Sequence, residues 1–296
     1  MAKALKKRRI DMLNGSIWNK IPLFALPVAA TAVLEQLFNA ADIAVVGNFT
    51  GELKNICVAA VGANSSIINL IVTLFIGVAL GVNVVIANAV GRKDDKSVKK
   101  AVHTAVLFAI IGGFIVAVLG QFIAEPLLKL LNVPKDVLPY AVLYLRIYLI
   151  GMPVILLYNF EAAIYRSIGE TKTPLIALAA SGVLNIVLNL FFVIVLKMTV
   201  NGVAIATVVS NAVSSIILFI LLLRTDGNIK ISFKELKIYK DALKNILRIG
   251  IPAGIQGAVF AISNIVIQSA INSLGTVVMA ASSAALSCRL SPRRIF

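Results

Sequence analysis

Long apolar stretches, separated by short charged or Pro- and Gly-containing segments, dominate the chain. A helix needs about 20 predominantly apolar residues to span a bilayer core of about 30 Å. Stretches of this kind predict membrane-spanning helices, whose approximate limits are 17–48, 57–90, 98–123, 137–165, 173–196, 200–223 and 246–272. A shorter apolar stretch covers 276–288. The pattern predicts an all-α polytopic membrane protein.

The predicted helices fall into two groups, because a long polar interval follows the sixth of them. We expect a six-helix transmembrane lobe and the first one or two helices of a second lobe. The predicted division is a basic cytoplasmic amino terminus at 1–16, the first lobe at 17–224, an inter-lobe linker at 225–245, the start of the second lobe at 246–288 and an aberrant tail at 289–296.

The seventh predicted helix resembles the first when Pro27 is aligned with Pro252, which also places Asn264 on Asn39. Six helices precede the second copy, so both copies have the same orientation in the membrane. Parallel repeats of this kind are one architecture of secondary transporters. The identity between the two copies is low, so the alignment alone carries no assignment.

Composition agrees with a membrane protein and excludes several other classes. Hydrophobic residues make up 59% of the chain, charged residues 14%, and the mean hydropathy is +0.96. A soluble domain averages about 45–50% apolar and about 25% charged residues. The formal charge of +15 would suggest nucleic acid in a soluble chain, but so much apolar surface excludes that partner here. Two cysteines cannot form a disulfide scaffold.

Most of the positive charge marks one side of the membrane. The amino-terminal segment and the alternate connections carry six, five, two and seven Lys or Arg residues, whereas the opposite connections carry five altogether. Basic residues concentrate on the cytoplasmic side of membrane proteins. We therefore expect a multi-pass protein of the cytoplasmic membrane, embedded in the lipid bilayer, with a cytoplasmic amino terminus.

Acidic residues inside the predicted spans are the strongest functional signal, because each is costly in a bilayer without a partner, water or an ion. Glu35 and Asp42 lie in the first span and share one helix face with Asn39. Pro27 removes a backbone hydrogen bond in the same helix, so we expect a bend there. An acidic stripe on a bendable helix suits a proton- or cation-coupled transporter. The alternative is that both acids only bond neighbouring helices.

The fifth span carries Asn185 and Asn189 one turn apart on one face. Their carbonyl oxygens can bind a hard cation, and their amides can hold an acid by hydrogen bonds. Paired amides also join helices in membranes. Both interpretations remain open from these residues alone.

The remaining motifs do not indicate chemistry. Gly77 and Gly81 predict close helix packing, and Asp94 with Asp95 predicts a solvated charge cluster rather than a metal site. His103, the single histidine, lies beside that charged loop and is given no role. Zinc spacing, a phosphate loop and a catalytic serine motif are all missing from the sequence. We therefore expect no enzyme, no metal and no cofactor other than a coupling ion.

Several stretches resemble the multidrug and toxic compound extrusion (MATE) transporters. They are the Leu-Pro pair that precedes Asp42 by fourteen intervening residues, VAAVGANSSI, GVALGVNVVIANAVGRKD, and NFEAAIYRSIGETKTPL at 159–175. The resemblance runs from about residue 15 to 287. It implies twelve helices in two lobes, and export of amphipathic, often cationic compounds in exchange for H⁺ or Na⁺.

The resemblance also implies a set of ion-coupling residues. Asp42 matches an aspartate on the family's first helix, Asn159 an asparagine on the fourth, Asn185 a polar position on the fifth and Thr207 a threonine on the sixth. Tyr144 is a weaker match. A second branch of the family uses a glutamate on the seventh helix, and the predicted span there contains no acid.

Asn189 departs from the family pattern, because many relatives carry an aspartate at that position. Asp42 is then the one clear acid of the cluster, with Glu35 a further candidate on the same helix. The number of protons carried and the choice between H⁺ and Na⁺ are left open.

These residues favour an ion-coupled antiporter of small amphipathic compounds, expected to act as a monomer. A lipid-linked oligosaccharide flippase is the alternative, although it should need more intramembrane Lys and Arg for a pyrophosphate headgroup. A membrane-embedded prenyltransferase would need acid-rich metal motifs, and a structural scaffold would leave Asp42 unexplained.

The carboxyl end interrupts the second lobe. Arg289, Arg293 and Arg294 follow the last apolar stretch beside Pro292 and cannot continue a span. We expect truncation or a change of reading frame here, rather than a short eighth span that simply ends. On this hypothesis the 296-residue product does not transport by itself.

Overall fold

The structure, a computed structural model, describes Ile10 and residues 17–225 and 227–289. The predicted amino-terminal segment, apart from Ile10, and the predicted tail beyond Arg289 lie outside these residues. The described residues form helices and no strands, as the sequence predicts. The helices are α1 Ile17–Phe49, α2 Lys54–Gly91, α3 Asp95–Leu130, α4 Leu138–Ile150, α5 Met152–Ser167, α6 Lys172–Leu190, α7 Val200–Arg224, α8 Lys240–Asn272 and α9 Thr276–Arg289.

Within the described residues, α1, α2, α3, α6, α7 and α8 are each long and apolar enough to cross a membrane. Large apolar side chains cover the outside of these helices, as Phe114, Val118 and Phe122 do on α3. In water such a surface would be strongly unfavourable, whereas lipid solvates it. The helices are therefore transmembrane elements of a polytopic protein.

The fourth predicted span, 137–165, is not one straight helix. It is divided at Gly151 into α4 and α5, whose axes differ by 51°. Pro153 follows the break and lacks the backbone N–H that would continue the hydrogen-bond ladder. Gly113 of α3 packs directly on this break, since a Cβ there would lie 2.4 Å from the Pro153 Cα. The missing side chain of Gly113 thus allows α3 to pack closely against the break between α4 and α5.

The predicted close packing at Gly77 and Gly81 is confirmed, and its partner is α8. A Cβ on Gly77 would lie 2.2 Å from the Cα of Gly254, and a Cβ on Gly81 would lie 2.3 Å from the Ile246 carbonyl oxygen. Gly250 is equally close to Val78. Glycines from both helices therefore bring the two backbones together, as small residues commonly do in membranes.

Replacing Gly77 with Val should destabilise the protein, because the added methyl groups push α8 away from α2. We expect a loss of about 1–3 kcal/mol, typical of overpacking, seen as a lower melting temperature of the purified protein in detergent. Gly91→Ala is the matched control on the same helix, since a Cβ on Gly91 meets nothing within 4 Å. Equal melting temperatures for the two variants would contradict the tight contact.

The inter-lobe linker is shorter than predicted and docks on the start of α3. The range predicted for the linker, 225–245, overlaps α8, whose polar first turns begin at Lys240. His103 Nε2 accepts from the backbone N–H of Ser232 at 3.0 Å, and Thr104 Oγ1 accepts from that of Tyr239 at 3.1 Å. His103, which received no role from the sequence, therefore holds the linker in place.

The charged loop before α3 is structural, and its two aspartates act separately. Asp94 caps α3 by accepting from the Ser97 hydroxyl at 2.6 Å and from the Ser97 N–H at 3.1 Å. These hydrogen bonds hold the pKa of Asp94 below its usual value. Asp95 instead accepts from the Asn228 amide of the linker. The pair is solvent-exposed and anchors local structure, which agrees with the sequence prediction.

Candidate functional site

A cavity of about 340 Å³ lies among the helices and receives polar side chains from most of them. Glu35, Asn39 and Asp42 of α1 all line it, as their shared helix face predicts. Its remaining polar lining comes from Gln36, Ser65, Asn69, Tyr144, Tyr148, Tyr158, Asn159, Ser181, Asn185, Thr207, Ser210, Asn211, Gln268 and Ser283. The last helices of the chain therefore contribute to the same cavity as the first lobe.

Asp42 is the centre of a buried hydrogen-bonded cluster at the edge of this cavity. Its side chain is only 3% exposed. Its Oδ1 accepts from Asn189 Nδ2 at 2.5 Å, and its Oδ2 lies 3.1 Å from Thr207 Oγ1. Asn189 and Thr207 lie on different helices, α6 and α7, so the carboxyl group joins three helices.

Asn185 and Asn189, one turn apart on α6, complete this cluster. Asn189 Nδ2 also donates to Asn185 Oδ1 at 3.1 Å, and Asn185 Nδ2 donates to Thr207 Oγ1 at 3.4 Å. The side-chain oxygen of Asn189, Oδ1, is buried and accepts no hydrogen bond from the described residues. The two interpretations of the asparagine pair are therefore not exclusive, because the amides both join helices and surround an acid.

Thr207 can switch between two acceptors. Its hydroxyl oxygen lies 3.1 Å from Asp42 Oδ2 and 2.9 Å from the Val203 carbonyl oxygen of its own helix. One hydroxyl hydrogen can be donated to one acceptor at a time. The bond to Asp42 can therefore be released without leaving the hydroxyl unsatisfied.

A close contact between α1 and α6 brings Asp42 to the asparagines. Phe38, one turn before Asp42, packs on Gly182, three residues before Asn185. A Cβ on Gly182 would lie 1.7 Å from the tip of the Phe38 ring, so a larger residue requires that ring to move. The missing side chain at Gly182 thus leaves room for Phe38 between α1 and α6.

The other predicted site residues line the cavity but do not bond Asp42. Asn159 Nδ2 donates to the Ile155 carbonyl of its own helix at 2.9 Å. Tyr144 is buried and stacks on Tyr148, with ring centroids 6.3 Å apart. Glu35 lies on the cavity wall and is only partly buried.

Pro27 lies within an uninterrupted helix rather than at a break. The Thr31 hydroxyl donates to the Pro27 carbonyl at 2.9 Å. Because Pro27 has no N–H, the Leu23 carbonyl lacks its usual helical donor. The bend expected at Pro27 therefore remains a prediction about a second conformation.

The charges around the cavity have one sign. Among the described residues that line it, Glu35 and Asp42 are acids, and none is a lysine or an arginine. Tyrosine rings at positions 144, 148 and 158 form part of the wall. Acids and aromatic faces both attract organic cations. The cavity is suited to a positively charged, partly apolar molecule.

Glu161 is a buried acid that the sequence prediction missed. It lies on α5, is fully buried, and accepts from the Ser215 hydroxyl of α7 at 3.2 Å. An acid inside a predicted span was the signal that identified Asp42, and the same signal applied to 137–165 would have found Glu161.

Residues 27–191 match the sequence profile of the MatE family. The chain is 29% identical over 276 residues to the probable multidrug resistance protein YoeA of Bacillus subtilis. It is 25% identical over 255 residues to the multidrug export protein MepA of Staphylococcus saprophyticus. These alignments cover 90% and 86% of this chain, but only 58% and 56% of the two relatives.

Solved structures share the fold. An inward-facing multidrug resistance MATE family transporter of the MOP superfamily superposes with a TM-score of 0.77 at 23% identity, covering 96% of this chain and 60% of that one. A MATE in the bent conformation gives a TM-score of 0.79 at 22% identity, with 93% and 64% covered. At such identities the likeness concerns the architecture alone.

Proposed function

Because this chain belongs to the MatE family of multidrug and toxic compound extrusion transporters, we propose that it exports amphipathic cations in exchange for H⁺ or Na⁺. One observation carries this proposal: Asp42 is buried among neutral donors at the edge of a cavity whose described lining has no Lys or Arg. Relatives of similar sequence are named for multidrug resistance and export.

The coupling ion acts through the charge of Asp42. As a carboxylate, Asp42 accepts the donors of Asn189 and Thr207. When it binds a proton, it needs an acceptor instead, and Thr207 can turn its hydrogen to Val203. The network therefore has a distinct arrangement for each protonation state.

Na⁺ can use the same cluster. The oxygens available around Asp42 belong to the amides of Asn185 and Asn189 and to the hydroxyl of Thr207, all of which are hard donors. The side-chain oxygen of Asn189 accepts no hydrogen bond, so it would face the cation without losing one if the amide turned its oxygen towards Asp42. The cluster thus fits either ion, and the choice is a matter for experiment.

We propose that Pro27 converts this local change into a movement of α1. Leu23 lacks a helical hydrogen-bond donor because of Pro27, so bending there breaks no backbone bond. A ligand shifts a conformational equilibrium only by binding one state more tightly than the other. An ion that favours one arrangement of the Asp42 cluster would favour one bend of the helix that carries it.

Orientation and location complete the proposal. The excess of Lys and Arg on alternate connections supports a cytoplasmic amino terminus for a protein of the cytoplasmic membrane. Amphipathic substrates would then leave the cell while H⁺ or Na⁺ enters down its gradient. We expect a monomer to carry out this exchange.

Ethidium efflux tests the proposal. Bacteria that lack their own drug pumps and produce this chain extended to the length of its relatives should lose preloaded ethidium faster than vector controls, measured by fluorescence. Collapse of the proton gradient, or removal of Na⁺, should identify the coupling ion by stopping efflux. Transbilayer movement of a lipid pyrophosphate in vesicles, with no ethidium efflux, would favour a flippase and overturn the proposal.

A further inference from the structure

Glu161 is a buried acid that takes no part in the Asp42 cluster. It lies on α5, six residues before the helix ends at Ser167. Its Oε2 accepts one hydrogen bond, from Ser215, and its Oε1 is buried with no hydrogen-bond partner among the described residues. A fully buried carboxyl group with one neutral partner is rare, because stable proteins pair or neutralise such groups.

The environment of Glu161 offers no compensating charge. The helices packed on α5 include α2, α3, α6 and α7. Their titratable groups inside the predicted spans are Cys57 of α2 and three residues of α3, namely Lys99, Lys100 and His103. Both lysines are exposed. His103 already uses both ring nitrogens, towards the Lys99 carbonyl and the Ser232 N–H. On α5 itself, Tyr158 and Tyr165 lie about one turn from Glu161 on either side, and Arg166 follows Tyr165. The Tyr158 hydroxyl donates to the Pro174 carbonyl.

An unpaired carboxylate at this position would be strongly unfavourable in the low-dielectric interior. The neutral acid fits the site better, because its hydroxyl needs no counter-charge. Three side-chain oxygens, the two of Glu161 and the hydroxyl of Ser215, are too few to replace the hydration shell of Na⁺ or Ca²⁺. The ion that suits the site is therefore a proton.

A polar row on α7 connects this acid with Asp42. Thr207, Asn211 and Ser215 follow one another at intervals of four residues on one helix face. Ser210 and Ser214 lie beside them and bond the carbonyls of Thr207 and Asn211. Along the axis, Ser215 is about 12 Å from Thr207. The row leads from the Asp42 cluster towards the predicted cytoplasmic end of α7.

The cavity covers the first part of this distance. Thr207, Ser210 and Asn211 line it, and so does Asn159, two residues before Glu161. Glu161 lies beyond the cavity, where α5 and α7 are packed together. A proton that leaves the cavity towards the cytoplasm along α7 would meet Glu161 next.

We propose that Glu161, held by Ser215, is a second proton-binding residue, which passes protons between the Asp42 cavity and the cytoplasm. In the cycle, neutral Glu161 first releases its proton to cytoplasmic water. Asp42 then releases its proton to water in the cavity, and the Glu161 carboxylate takes up a proton from that water at Oε1, which restores the neutral acid. The relay rests on proton coupling at Asp42, whereas proton binding at Glu161 does not.

Infrared spectroscopy tests proton binding directly. The purified protein in lipid nanodiscs should show, at neutral pH, the carbonyl band of a buried carboxylic acid that is lost in Glu161→Gln and kept in Asp42→Asn. Ser215→Ala should move that band to higher frequency, since it removes a hydrogen bond from the carboxyl group. A spectrum of Glu161→Gln identical to that of the unmodified protein would overturn the assignment.

Transport in proteoliposomes tests the relay. The chain extended to the length of its relatives should move ethidium in response to a pH gradient. Glu161→Gln in that protein should slow this movement by about tenfold or more, with ethidium affinity unchanged. Glu170→Gln is the matched control. Glu170 is equally buried, and its Oε2 also lacks a hydrogen-bond partner among the described residues. It lies away from the polar row of α7, however, and its Oε1 accepts from the N–H and the hydroxyl of Thr173. Glutamine keeps that acceptor, so the rate should not change.

The possible failures differ from one another. If the unmodified protein moves no ethidium in a pH gradient, the proposed function and the relay both fail, and the infrared band still decides whether Glu161 holds a proton. If the unmodified protein is coupled and Glu161→Gln transports at the same rate, the relay alone is wrong.

Discussion

Replacing Asp42 with Asn should abolish ion-driven export of ethidium, reducing efflux to the rate of cells without the protein. Asparagine has the same shape as aspartate, but its amide is neutral. It therefore takes up no proton and offers no negative charge to Na⁺. Its carbonyl oxygen can still accept from Asn189, and its amide can donate to Thr207 once that hydroxyl turns to Val203. The fold should therefore survive while the coupling is lost.

Binding measurements separate coupling from substrate recognition in this variant. Ethidium should still bind to purified Asp42→Asn, measured by fluorescence anisotropy, but its affinity should no longer depend on pH or Na⁺. Asp136→Asn makes the same chemical change at an exposed acid that bonds Thr276, and should behave as the unmodified protein does. Full ion-driven efflux by Asp42→Asn would show that Asp42 is not the coupling residue.

Replacing Asn189 with Asp should increase the number of protons that the cluster carries. The new carboxyl group would lie within hydrogen-bond distance of Asp42, since the two side chains are now 2.5 Å apart. Two buried carboxylates this close share a proton. The pair can then bind a second proton, so ethidium binding should release about two protons rather than about one.

A pH indicator in weakly buffered solution can count these protons. The same change at Asn69, which lines the cavity but bonds Thr73 instead of Asp42, is the matched control. Asn69 is exposed, so an aspartate there would ionise independently and leave the proton count unchanged. An unaltered count in Asn189→Asp would mean that the cluster does not set the stoichiometry.

The sequence predicted most of the helices, because length and hydrophobicity are local properties of the chain. It did not predict the bend of 51° at Gly151, which divides the fourth span into α4 and α5. Glycine and proline in sequence mark a weak point, but whether the helix breaks there depends on neighbours such as Gly113. The start of α8 at Lys240 was missed for a related reason, since a polar helical turn outside the membrane has no hydrophobic signal.

The candidate site was only partly predictable. Helical spacing placed Glu35, Asn39 and Asp42 on one face, and the structure has all three on the cavity wall. Asn159 and Tyr144 came from family resemblance, and both line that cavity without bonding Asp42. Sequence spacing indicates which residues share a face, but not the distances between helices.

By itself, the sequence determined the membrane class, the helical architecture, the family and the acid on the first helix. Each of these follows from local patterns of hydrophobic, charged and motif residues. Only the tertiary structure decided that Asn189 and Thr207, which are 147 and 165 residues from Asp42 along the chain, hold its carboxyl group. It also placed Glu161 against Ser215. Helix packing sets such contacts, because small residues such as Gly77 determine how closely two backbones approach.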